Sequence, residues 1–188
     1  FSHIILALQT AAPSIIITIN ILLAMIFYVY AFGLRKKNPE RDLRNESIVF
    51  IGGLFTGVAI YFTGKLLLTG GQDFSRLILF ATLVYGILAL CFPSKLLWII
   101  TLLISGVWFA TKTTIAANYN LGMNYPLRLV LFGGVLVAAS IIMQHWRLIT
   151  HLQKFRQTTN VIGLLYLFIS LWILSIFGNS NSMHDWYL

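Results

Sequence analysis

Lys65 is the residue in this sequence best placed to do chemistry, because it is the one charge lying well inside an apolar run. That run covers residues 48–68, and the polar turn Gly70-Gly71-Gln72-Asp73 follows it. A charge inside a membrane span is costly, so it marks a solute path, an ion path or an ion pair. An ammonium here would attract an anionic solute or pair with Asp73. The competing reading is snorkelling, in which the long stem lies along the helix and the ammonium reaches the interface. Nearness to the end of the run favours snorkelling. Asn20 is the second polar candidate, in the middle of the first apolar run. It is expected to face protein and to hydrogen-bond across to a neighbouring helix.

Gly53, Gly57 and Gly64 fall on one face of a helix, and Gly53-Leu54-Phe55-Thr56-Gly57 is a GxxxG pattern. Lipid removes the hydrophobic drive between helices, so close backbone approach has to hold them together. These glycines are expected to pack one helix on another within the chain, rather than to make a dimer.

No other set of residues reaches a reaction. His145 and His151 stand six apart, and a metal pair on one helix face wants three or four. Cys91 is the single cysteine, so the chain can form no internal disulfide. There is no Ser-His-Asp arrangement, no HExxH, no phosphate loop and no pair of intramembrane carboxylates. Five acidic residues serve a proton relay poorly. The sequence assigns no catalytic residue, no metal ligand and no cofactor. Trp98, Trp108, Trp146, Trp172 and Trp186 lie mostly near the ends of apolar runs, as an interfacial belt would place them.

The elements that carry these residues are set by hydropathy. The chain has 188 residues, 59% hydrophobic and 10% charged. Soluble domains average about 25% charged and about 45–50% apolar residues. The apolar runs here are long, which selects an all-α polytopic transmembrane helix bundle of about six spans. The first apolar stretch covers residues 4–34, and Pro13 is expected to divide it and leave 14–33 as the span. The others are 48–68, 76–92, 96–111, 127–144 and 161–178. The third and fourth are short and meet at Pro93-Ser94-Lys95, so a re-entrant hairpin is the alternative there. The basic stretches 35–47 and 145–160 are expected to be connections in water. No internal repeat supports an inverted-repeat transporter, and the whole reads as one helical domain.

The net charge is +8. Its placement in the connections suits topology signalling and anionic headgroups, and no nucleic-acid motif accompanies it. Alternate connections hold nine and three basic residues: Arg35, Lys36, Lys37, Arg41, Arg44, Lys95, Arg147, Lys154 and Arg156 against Arg76, Lys112 and Arg128. The positive-inside rule puts the first set in the cytoplasm.

One stretch carries a resemblance. Gly52-Gly53-Leu54-Phe55-Thr56-Gly57-Val58-Ala59-Ile60 leads to Gly64, and the turn Gly70-Gly71-Gln72-Asp73 follows. Then come the close helix pair around Pro93-Ser94-Lys95 and a late helix with Trp172-Ile173-Leu174-Ser175 and Phe177-Gly178. On these residues, 48–178 resembles the family of predicted bacterial membrane proteins catalogued as domain of unknown function 2157. Members usually carry Gln and then an aromatic after the glycine matching Gly64; here Lys65 and Leu66-Leu67 stand there. The resemblance implies an architecture and a bacterial cell membrane, the inner membrane or its equivalent, and no activity. It also implies sequence before this region, and a chain beginning at Phe1 is expected to have some.

The expected function is a non-enzymatic accessory or scaffold subunit of a membrane complex. The alternatives are a transporter or channel-like protein for a small solute, and, third, an enzyme acting on lipid. The expected partners are membrane lipids and other membrane subunits, with no nucleic acid.

Overall fold

In a bilayer core the backbone finds no water, so each apolar run must satisfy its own N–H and C=O groups. The computed structural model meets that demand with helices. It describes residues 2–37, 42–67, 74–115, 124–145 and 150–177, and side chains within 13–36, 44–66, 74–112, 127–144 and 153–176. The helices are α1 (Ser2–Lys37), α2 (Asp42–Leu67), α3 (Phe74–Cys91), α4 (Lys95–Ile115), α5 (Asn124–His145) and α6 (Thr150–Phe177). Among the described residues there is no strand. All six helices are long and apolar enough to cross a membrane. The shortest, α3, has 18 residues and so measures about 27 Å, close to the ~30 Å hydrocarbon core. The all-α class expected from the sequence is the one observed.

The structure differs from expectation at Pro13 and in both basic stretches. Pro13 does not divide the first stretch; it lies inside the continuous helix α1. Proline removes one helical hydrogen bond, but apolar surroundings offer the freed groups nothing better outside the helix. The basic stretches are also largely helical. α1 runs on to Lys37 and α2 starts at Asp42, while α6 starts at Thr150. Arg, Lys, Gln and Glu are good helix formers, so helices continue past the point where hydropathy falls. The turn 70–73 and the connection 146–149 lie outside the described residues.

The chain forms two compact units, Phe1–Leu97 and Trp98–Leu188. In the first, α1 and α2 pair closely. Ala24 and Ala31 are buried on α1, two turns apart, and small side chains there let α2 approach. Phe27 stacks on Phe55 with ring centroids 5.6 Å apart. The Tyr28 and Thr56 hydroxyls bond at 2.9 Å. The break between α3 and α4 is well fastened. Phe92 N–H donates to Leu88 O at 2.8 Å. Buried Ser94 accepts from Leu97 N–H at 3.4 Å as a helix cap. Glu46 of α2 accepts the Lys95 N–H at 3.2 Å, which sets a carboxylate at the positive end of α4.

In the second unit, Leu102, Leu136 and Ile162 form the core, with Trp98, Ile99, Phe132 and Tyr166 against it. α5 and α6 meet at backbone distance. A Cβ at Gly133 would lie 2.8 Å from Leu167 N and 2.9 Å from Gly163 O. A Cβ at Gly163 would lie 3.0 Å from Val137 N. Glycine at 133 permits that crossing, and Gly163 leaves a tight but lesser margin opposite it.

Candidate functional site

The glycine face of α2 is built around a phenol. Tyr85 of α3 is buried, and its hydroxyl donates to Gly53 O at 2.8 Å. That carbonyl is also the helical partner expected for the Gly57 N–H, so the phenol uses its second lone pair. The route to it runs past Gly57, where an added Cβ would meet Tyr85 Oη. Gly57 therefore leaves the opening, and Gly53 supplies the acceptor. A Cβ at Gly53 would also lie 2.7 Å from Leu97 Cδ2. Gly64 faces Leu77 of α3. The three glycines singled out from the sequence thus face α3 and the first turn of α4. Gly52, not singled out, faces Tyr28 of α1, with an added Cβ 2.8 Å from Cε1.

The same device recurs in the second unit. Tyr166 of α6 donates its hydroxyl to Leu103 O of α4 at 3.2 Å, and Gly106, one turn on, opens the space for it. Sequence reasoning missed both tyrosines. The available signal was that a phenol in an apolar run needs a hydrogen-bond partner. Trp98 is likewise not free for an interfacial belt. It is half-buried, it stacks on Phe155 at 4.8 Å, and its Nε1–H donates to Thr159 Oγ1 at 2.9 Å. Thr159 in turn donates to Phe155 O at 2.9 Å.

The two polar candidates are not brought together with these groups. Lys65 is exposed in the last turn of α2, where a cation suits the helix dipole. Asp73, its suggested partner, lies outside the described residues. Asn20 is half-buried, and its Nδ2–H donates to Ile16 O at 2.8 Å. That bond stays within α1 instead of crossing to a neighbour. Thr18, Thr63, Thr82 and Thr111 bond back to the preceding turn in the same way, the usual way a hydroxyl is satisfied inside a span.

One polar cleft stands apart from the packing contacts. It has a volume of about 460 Å³ and is lined by Ser140 and Ile141 of α5 and by Gln153, Arg156, Gln157 and Asn160 of α6. Ser140 forms its floor at 2% exposure, with Oγ 2.7 Å from Val137 O and 3.3 Å from Asn160 Oδ1. Its described lining holds one cation, three carboxamides and no carboxylate. Sequence reasoning treated residues 145–160 as a solvated connection, so the cleft was not foreseen. Among the described residues, no three of His, Cys, Asp and Glu gather to hold a metal. Cys91 is exposed and not in a disulfide.

Comparison with protein-family models, with curated proteins and with solved structures finds no match.

Proposed function

We propose that this chain is a non-enzymatic accessory or scaffold subunit of a larger membrane complex, related to the family it resembles, with the basic connections 35–47 and 145–159 in the cytoplasm. The observation that carries the reading is how the inward polar groups are used. Tyr28, Tyr85, Trp98 and Tyr166 each hydrogen-bond to another helix of their own unit. A carrier needs polar groups that can exchange the protein for a solute, whereas these hold helices together. The outer faces suit neighbours or lipid: Val29, Phe168 and Trp172 are 72%, 77% and 66% exposed.

The test is gentle detergent extraction of the tagged chain, followed by cross-linking mass spectrometry. A stoichiometric membrane-protein partner supports the reading. A monodisperse lone chain that moves an anionic solute in proteoliposomes, with flux lost in Lys65→Leu, overturns it in favour of transport. Orientation is tested on a Cys91→Ser background with Asn38→Cys and Asn181→Cys. Labelling of both from one side would sink the six-span arrangement.

A further inference from the structure

We infer that the cleft between the end of α5 and the start of α6 holds the phosphate of an anionic phospholipid, whose acyl chain lies along α6. The lining supports an anion. Arg156 is the one cation among the described lining residues, and its guanidinium fork fits two phosphate oxygens at once. Gln153, Gln157 and Asn160 offer amide N–H donors, and among the described lining no carboxylate repels the ligand. The buried Ser140 hydroxyl and Asn160 Oδ1 lie 3.3 Å apart, which keeps the amide oxygen of Asn160 on Ser140 and leaves its N–H groups to face away from that contact.

The pattern along α6 makes the anion a lipid. Gln153, Gln157, Asn160, Val161, Leu164 and Phe168 follow at helical spacing and share one strip. The strip is polar through Asn160 and apolar from Val161, and its apolar part is open, with Leu164 at 44% and Phe168 at 77% exposure. Asn160 and Phe168 are separated by about 12 Å along the axis. The apolar run of α6 begins at Val161, so the polar strip before it sits at headgroup depth. A phosphate in the cleft would therefore have its acyl chain beside Val161, Leu164 and Phe168. Free phosphate would leave that half of the surface unused.

The experiment is native mass spectrometry of the whole chain in detergent micelles with added phosphatidylglycerol or phosphatidylcholine. Both lipids carry the phosphate, but phosphatidylcholine adds a quaternary ammonium that the Arg156 charge repels, so wild type should retain one phosphatidylglycerol with about tenfold preference. Arg156→Gln should bring the two lipids to parity, and Arg156→Lys should keep more preference than Arg156→Gln. Lys154→Gln, an exposed neighbour outside the cleft lining, should leave the preference unchanged. Parity in wild type overturns the inference. Equal losses in Lys154→Gln and Arg156→Gln also overturn it, by reducing the effect to diffuse charge. Displacement of phosphatidylglycerol by millimolar inorganic phosphate would make the cleft a free-anion site and reject the lipid.

Discussion

If Gly57 exists to let the Tyr85 phenol reach α2, the two positions must be energetically coupled. Gly57→Ala places a methyl against Tyr85 Oη, while the ring carbon Cζ stays 3.8 Å away in ordinary contact. Moving a buried phenol out of a packed interface costs about 1–3 kcal/mol. The substitution also removes a helical glycine, which returns about 1 kcal/mol. The single variant should therefore lose roughly 0–2 kcal/mol by these opposing effects. Tyr85→Phe deletes only the hydroxyl. It should cost about 0.6 kcal/mol, typical of an interhelical hydrogen bond in a membrane protein. In the Tyr85→Phe background the methyl has no oxygen to strike, so Gly57→Ala should become neutral or stabilising. The interaction energy should be about 1 kcal/mol or more, well above the additivity error of about 0.3–0.5 kcal/mol. The assay is SDS titration of mixed micelles, followed by far-ultraviolet circular dichroism. All five tryptophans lie at or after Trp98, so fluorescence would report mainly on the other unit. Equal effects of Gly57→Ala in both backgrounds would refute the coupling of Gly57 to the Tyr85 hydroxyl.

Four further outcomes are expected. Gly133→Ala drives a methyl into Leu167 N and Gly163 O, backbone atoms that cannot yield, so it should cost about 1–3 kcal/mol. Gly134→Ala, with nothing within 4 Å of its added Cβ, should instead be neutral or gain up to about 1 kcal/mol in the same titration. Thr159→Val removes the acceptor of the Trp98 indole; it should cost about 1–3 kcal/mol and shift the tryptophan emission, and an unchanged spectrum would argue against the bond. Lys65→Leu, at an exposed site, should change stability by less than about 0.5 kcal/mol. A large loss would reveal a partner and reopen Lys65 as a functional group.

The helix ends in the basic stretches were misplaced for one reason. Hydropathy marks where a helix is apolar, not where it stops. Ends at Asp42 and Thr150 are set by helix formers that extend the turn into the interface. Residues 153–160 read as a basic connection for that reason, and the cleft they line became visible only once they were helical and packed beside α5.

Class, span count and span order were legible in the chain itself, because transfer from water to lipid adds up locally, residue by residue. Lys65 near a helix end and a close-packing glycine face on α2 were legible on the same local grounds. What each glycine faces was not. Gly52-Gly53 and Gly133-Gly134 are the same dipeptide. Gly52 meets Tyr28, Gly53 meets Leu97 and Tyr85, Gly133 meets the backbone of α6, and Gly134 meets nothing within 4 Å. Adjacent residues on a helix point about 100° apart, so neighbours in sequence look at different neighbours in space. Which helix stands there, and whether it brings a phenol, a leucine or a bare backbone, is decided by the tertiary packing alone.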